Sequence, residues 1–420
     1  MKKSKTKKSQ IVDLKALLVT VDVGKKTNMG YCRFPDGTEI KPFEFFNNGW
    51  GFRKFWSNVS KAMKSHNIEE AVAGFESTGA YGEPLMHFLR KKQNVRLVQV
   101  NPMHTKRLKE LQGNSPNKTD KKDPKVIADI IELGHALTVI IPEGSAAELR
   151  RSTHARERAM ERRTALFNQL QDLVFIIFPE FLQTMKNIKS KTARYLLKHC
   201  PTPEDIMECE LESLAHTLKK VSRGNMGKER ADELCNAAKD SIGIKEGRDS
   251  ILLEIEQCLL LIDESDRFIK EIEERMSHHL KEIPYSRFIL SIKGVGEITV
   301  AGLIGEVGDF RKFKTISEIT KLAGFDLFEI SSGKHKGQLR ISKRGRPLMR
   351  KLLFFAAINT VREGGIMHER YQKYLQSGMI KMKALVAVAR KLLGIIFSLV
   401  RNHSEYVSDY TKTQNLDMAA

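Results

Sequence analysis

From Ala146 to Phe178 the chain runs without one glycine or proline, reading AAELRRSTHARERAMERRTALFNQLQDLVFIIF. Gly and Pro are the residues that most strongly oppose helix, so an uninterrupted stretch this long predicts a single long helix starting near residue 145. A second follows at about 248 to 282, where Ile251, Ile255, Cys258, Ile262, Ile269, Ile272 and Met276 lie mostly three or four residues apart. That spacing makes one apolar stripe along a helix. Two long helices separated by about 65 residues predict an antiparallel coiled-coil arm with a small helical insertion at its tip, or a dimerisation arm. A plain helical bundle is the alternative.

Residues 16 to about 142 have a different character. ALLVTVDVG reads as a buried strand. MGYCRF and TEIKPFEFF flank Pro35-Asp36-Gly37, a hairpin turn signal. Phe52, Phe55, Val59 and Met63 then recur at helical spacing, and EAVAGFES and NVRLVQV follow as strands separated by a helix around Glu83 to Lys92. The order β-β-β-α-β-α-β-α is the layout of an RNase H-like α/β domain. After Pro284 a third, mainly helical region begins. The expected divisions are a basic tail at 1–15, the α/β domain at 16–144, the arm at 145–283, a C-terminal domain at 284–405 and a tail at 406–420.

Lys and Arg number 71 against 51 Asp and Glu, a formal charge of +20 spread in clusters along the chain. Such a balance favours a polyanionic partner, nucleic acid first. MKKSKTKKSQ has no apolar core and reads as a solvated tail rather than a signal peptide. Five cysteines, at 32, 200, 209, 235 and 258, form no CxxC pair, which argues against a structural zinc or a disulfide framework. A soluble cytoplasmic protein is the expectation.

Four carboxylates stand out. Asp22 ends the first strand, where a charge is costly unless paired or metal-bound; a turn-forming Asp beside Gly24 is the plainer reading. Glu76 follows AVAGF and precedes Ser77-Thr78-Gly79, which puts it at the sheet's edge or at a helix start. Asp120 and Asp123 are three apart in NKTDKKDPKVIADII, a spacing that suits shared ligation of Mg²⁺ or Mn²⁺ if both lie on one helical face. Asp123 before Pro124 equally fits an N-cap, which would leave Asp120 outside the helix.

In the C-terminal region, SIKGVGEITVAGLIGEVGDF has the pattern of a helix-hairpin-helix. Gly294 and Gly296 there would let the backbone approach a phosphate, gripping DNA without reading its sequence. A plain glycine turn is the alternative. Ser331 and Ser332 precede Gly333 in a field of cations: Lys334, Lys336, Arg340, Lys343, Arg344, Arg346 and Arg350. A serine so placed is a candidate phosphodiester nucleophile, since nearby cations stabilise both an alkoxide and the phosphorane. Ser-Ser-Gly is also an ordinary loop.

Taken in order, VDVGK, FESTGAYGEPL, NKTDKKD, GVGEITVAGLIGEVGDFRKF, LAGF, SSGKHKG and ISKRGRPLMR resemble the IS110 class of insertion-sequence transposases, which includes the Piv-type DNA invertases. The resemblance spans nearly the whole chain and departs from the family pattern at Pro124 and at Leu327. It implies a RuvC-like domain whose DEDD set is Asp22, Glu76, Asp120 and Asp123, a coiled-coil arm and a C-terminal transposase domain with a nucleophilic serine. Ser332 takes that position, with Ser331 and then Ser342 in reserve. It also implies Mg²⁺ or Mn²⁺, element-end and target DNA, a structured bridge RNA as guide, and active sites assembled across a dimer or tetramer.

Three other functions stay open. One is a hydrolytic RNase H-like nuclease or Holliday-junction resolvase that uses the carboxylates alone. A tyrosine recombinase would draw on Tyr371 or Tyr374 but lacks a clear Arg-His-Arg set, and a non-catalytic nucleic-acid scaffold would need only the basic surfaces.

Overall fold

The computed structural model describes residues 15–76, 79–112, 123–329 and 339–407. They fall into two compact units, one up to Ile141 and one from Pro142.

In the first unit the chain lays down β1 (Leu17–Val23), β2 (Thr27–Arg33) and β3 (Glu39–Phe46), then α1 (Gly49–Ser65), β4 (Ala71–Glu76), a 3-10 turn (Ala80–Gly82), α2 (Glu83–Arg90), β5 (Val95–Val100), α3 (Pro102–Gln112), α4 (Asp123–Glu132) and β6 (Ala136–Thr138). The β2–β3 turn forms where Pro35-Asp36-Gly37 predicts it. Gly37 takes φ +86°, and Asp36 Oδ1 accepts from the Thr38 amide at 2.9 Å and its hydroxyl at 2.7 Å.

Among the described residues these strands form one sheet in the order β3-β2-β1-β4-β5-β6. β1 runs antiparallel to β2 and parallel to β4, and β4 is parallel to β5. The mixed α/β class follows the expected layout with two differences. The last helix is two, α3 and α4, and a short antiparallel β6 closes the edge beside β5.

Alternation along the strands divides two cores between the faces. Leu17, Val19 and Val21 pack with Phe52, Phe55 and Val59 of α1 and with Leu85 and Leu89 of α2. Leu18, Val72, Val98 and Val100 pack with Val126, Ile127, Ile130 and Ile131 of α4. Gly74 lets α4 come close: a Cβ there would sit 2.2 Å from Ile131 Cδ1. The polar side of α4 is held as well. Arg33 Nη1 meets Asp129 and Glu132 at 2.8 Å each, and Lys125 Nζ meets Glu39 at 2.6 Å.

The second unit is built on two helices of 34 residues each, α5 (Gly144–Ile177) and α11 (Arg248–Lys281). Arg156 pairs with Glu273 and Arg163 with Asp266, so sequence number rises on one helix as it falls on the other and the two are antiparallel. Part of the Arg crowding in α5 is therefore spent along the arm itself. At one end, α6 to α10 (Pro179–Thr184, Lys191–His199, Pro203–Glu208, Leu211–Val221, Lys228–Lys239) form a helical cap with its own core, including Phe178, Phe181, Leu196, Leu214 and Leu234.

At the other end Leu149 of α5 and Ile272, Met276 and Leu280 of α11 join the core of the C-terminal helices. Those are α12 (Ser286–Leu290), α13 (Glu297–Val307), α14 (Ile316–Ala323), α15 (Pro347–Thr360), α16 (His368–Gln376) and α17 (Lys381–Asn402), with an antiparallel pair of β7 (Leu327–Glu329) and β8 (Leu339–Ile341) between α14 and α15. The arm and the C-terminal helices thus share a continuous apolar interior. No helix among the described residues is long and apolar enough to cross a membrane.

Candidate active site and nucleic-acid interface

Asp22 and Glu76 stand at the carboxyl ends of two adjacent parallel strands. Val21 is registered with Phe75, and one step further along both strands brings Asp22 beside Glu76. Their side chains continue the pleat of Thr20 and Gly74, so both leave the sheet on the face that carries α4. Both are half-buried.

Thr20 fixes α4 to this corner. Its buried hydroxyl donates to the Pro124 carbonyl at 2.6 Å, so α4 starts two residues along β1 from Asp22. Pro124 lies in the first turn of the helix, where its missing N–H has no intrahelical partner to lose. Asp123, the first residue of α4, is thereby delivered to the same end of the sheet. The other acids of α4, Asp129 and Glu132, are engaged by Arg33 instead.

Asp22 and Glu76 are thus neighbours at the strand ends and Asp123 opens α4 on the same face, while Asp120 lies outside the described residues. Among the described residues no three acidic, His or Cys side chains stand close enough to hold a metal ion. The donor chemistry still fits a hard divalent cation, because every candidate donor is a carboxylate oxygen. A cation already bears on the set: Lys109 Nζ of α3 lies 2.7 Å from Asp123 Oδ2. Nothing in the spacing of the acids announces Lys109, which follows its own helix to this point.

In the second unit, α12, a glycine turn and α13 occupy the stretch expected to form a hairpin between helices. Gly294 has φ +93°, and a Cβ there would lie 3.3 Å from Thr360 Cγ2, so both conformation and packing call for glycine. Gly296 caps α13 and a Cβ there would meet open space. Lys293, Gly294 and Gly296 are exposed, while Ile292 and Val295 anchor the turn in the core. Glu297, in the first turn of α13, accepts from Ser277 at 3.0 Å and so puts a negative charge where a phosphate would approach.

The basic field that follows splits in two. Arg340, Lys343 and Arg344 are exposed. Arg346 and Arg350 turn inward: Arg346 Nη1 donates to the Glu306 carbonyl and Arg350 Nη1 to the Ala323 carbonyl at 2.9 Å. Burial and the neighbouring Arg150 lower the Arg346 pKa to about 10 in spite of the Glu306 carboxylate. Ser342 bonds locally, its hydroxyl donating to the Gly324 carbonyl at 3.3 Å. Ser331, Ser332, Lys334 and Lys336 lie outside the described residues. Leu327, one of the two departures from the family pattern, opens strand β7 and is registered with Ile341.

A buried charge cluster that the sequence does not advertise lies behind this field. Glu306 on α13 is 2% exposed and receives His154 Nε2 at 2.8 Å from α5. Burial by itself would raise its pKa. The His154 bond and the charges of Arg346, His154 and Arg150 outweigh burial and hold the carboxylate below its ordinary range.

A transposase family model of the IS110 DEDD type matches residues 19–179, and a second, described as Transposase IS116/IS110/IS902 family, matches residues 286–372. The chain is 21% identical over 394 residues to the 43.6 kDa protein of insertion element IS110 from Streptomyces coelicolor, covering 92% of this chain and 95% of that one. It is 23% identical over 288 residues to the 44.8 kDa protein of insertion element IS116 from Streptomyces clavuligerus, covering 68% and 71%. A transposase for insertion sequence element IS1111A from Coxiella burnetii is 28% identical over 144 residues, covering 34% and 40%. With a carboxylate corner in its first matched region and a glycine hairpin with exposed cations in its second, the chain belongs to the IS110 family of insertion-sequence transposases.

Proposed function

We propose that this transposase cuts and rejoins DNA through a covalent serine–DNA intermediate, with its RNase H-like first unit as a metal-dependent half of the site. The observation that carries the first half is the register that sets Asp22 beside Glu76, with Thr20 anchoring the start of α4 on the same face. Asp22, Glu76 and Asp123, completed by Asp120, are the residues to hold Mg²⁺ or Mn²⁺. Bound there, the cation supplies charge neutralisation for the reacting phosphodiester oxygens.

The chain's own groups do the rest. Ser332 Oγ forms a bond to phosphorus as one sugar oxygen leaves; the serine gives up a proton and the departing sugar hydroxyl takes one up. The phosphodiester count is conserved, so a hydroxyl of the second DNA reverses the step and joins the strands without ATP. Exposed Arg340, Lys343 and Arg344 offset phosphate charge, and the Gly294–Gly296 turn grips the DNA backbone. Resemblance to the family and the +20 charge support a structured guide RNA and a dimeric or tetrameric assembly as further parts of the machinery.

Recombination of a plasmid carrying the DNA that flanks this gene tests the proposal. Wild-type protein with Mg²⁺ and the flanking transcript recombines the ends. Asp22→Ala and Ser332→Ala bind the same DNA without recombining it. Recombination by either variant at the wild-type level overturns the assignment of that residue.

A further inference from the structure

Three large aromatic residues are exposed on the segments at the end of the sheet that carries Asp22 and Glu76, and none packs into either core. Phe46 ends β3, Trp50 lies in the first turn of α1 and Tyr81 lies in the 3-10 turn after β4; they are 52%, 53% and 50% exposed. One exposed aromatic is unremarkable on a protein surface, whereas a cluster marks a contact. The Phe46 and Trp50 rings stand 6.0 Å apart.

Asn47 ties this cluster to the corner. Its Nδ2 donates to the Gly24 carbonyl at 2.9 Å, two residues beyond Asp22, and to the Tyr81 carbonyl at 3.2 Å. The sheet register supplies the direction. Asp22 is paired with Met29, Met29 with Glu44, and Thr27 with Phe46. Paired residues share a face and so do residues two apart, so Phe46 projects on the side of the sheet from which Asp22 and Glu76 project. Two strand spacings separate β3 from β1, roughly 10 Å.

The charge around the rings is positive. Lys54 Nζ lies 5.2 Å from the Trp50 ring centroid, and Lys25, Lys26 and Arg53 are exposed on the same segments. An apolar protein partner would leave these cations facing it unpaired. A nucleotide brings a flat ring for the aromatics and a phosphate for the cations. A base stacked within a duplex has both faces covered, so only an unpaired one fits.

From this we infer that Phe46, Trp50 and Tyr81, with Lys54, form a stacking platform for unpaired DNA bases on the strand that enters the carboxylate corner. The choice of DNA rests on the reading of that corner as the place where a DNA strand is cut. The platform holds a frayed strand by its bases while the scissile phosphate lies at Asp22 and Glu76. It is sequence-tolerant, because every base offers a ring face.

Tryptophan fluorescence tests this on the full chain, whose other tryptophan is Trp56. In Trp56→Phe protein, a single-stranded oligonucleotide of about twelve thymidines quenches Trp50 emission. Trp50→Ala weakens binding of that oligonucleotide roughly five-fold or more, with circular dichroism and duplex affinity unchanged, and Trp50→Phe restores most of it. Equal single-strand affinity in Trp50→Ala with no quenching overturns the platform. So does a change of Trp50 emission with protein concentration alone, which assigns the patch to a second copy, or a loss confined to an oligouridine RNA. Asp22→Asn separates the two proposals: it retains the oligonucleotide and loses cutting. Normal cutting by Asp22→Asn removes the carboxylate reading and with it the choice of DNA, whatever Trp50 binds.

Discussion

Asp22 and Glu76 leave the same face of adjacent parallel strands, one residue past the registered pair Val21 and Phe75. Two like charges set side by side repel each other, which a folded protein tolerates where a cation joins them. Asp22→Asn or Glu76→Gln therefore lowers the strand-cutting rate by about 100-fold or more. Thermal unfolding of Glu76→Gln without metal checks that the loss is chemical: Tm stays level, whereas a marked fall assigns Glu76 to structure.

Thr20 makes the bond that sets α4 against the corner. Thr20→Val keeps the shape and removes the side-chain bond that the Pro124 carbonyl accepts beside its helix, a loss of about 0.5–1.5 kcal/mol. Urea unfolding reads that loss, and cutting falls alongside because Asp123 is no longer held at the strand ends. Full activity at reduced stability separates the position of α4 from catalysis.

Gly74 and Ile131 form a pair whose coupling is measurable. Gly74→Ala forces a Cβ against Ile131 Cδ1 and destabilises by about 1–3 kcal/mol. Ile131→Val removes that methyl, so the double variant recovers part of what Gly74→Ala loses. Strict additivity in chemical denaturation contradicts the packing described.

Glu306 confers a dependence on acid. Its folded-state pKa lies below the unfolded value, so its stabilisation is complete above the ordinary carboxylate pKa and is lost as pH falls through the lower, folded value. Wild-type protein loses stability over that acid range, and Glu306→Gln flattens this part of the pH profile. Glu306→Ala, which leaves Arg346 and His154 without their carboxylate, costs about 3–5 kcal/mol at neutral pH. An identical acid profile in wild type and Glu306→Gln rules the carboxylate out as the titrating group.

What the sequence made legible depends on how local the deciding physics is. The two long helices are written in continuous stretches, free of Gly and Pro on one side and apolar at helical spacing on the other, and they run as α5 and α11. The strand-end positions of Asp22 and Glu76 follow from strand composition with the small polar residues after it. Partners distant in sequence are not written locally. β6 is three residues long and forms only because β5 offers a free edge. Arg346 and Arg350 look the same in sequence as Arg344, yet they point inward because Glu306 and the end of α14 supply oxygens there. Lys109 reaches Asp123 through the packing of two helices whose spacing reveals no such pair.

The division of labour between serine and carboxylates is tested most directly by trapping the intermediate. Full-length protein is incubated with end-labelled element-end DNA and Mg²⁺, then resolved on a denaturing gel. The expected result is a protein–DNA adduct that Ser332→Ala abolishes and that Asp22→Asn or chelation of the metal strongly reduces. An undiminished adduct in Ser332→Ala, or cut DNA with no adduct in the wild type, contradicts it.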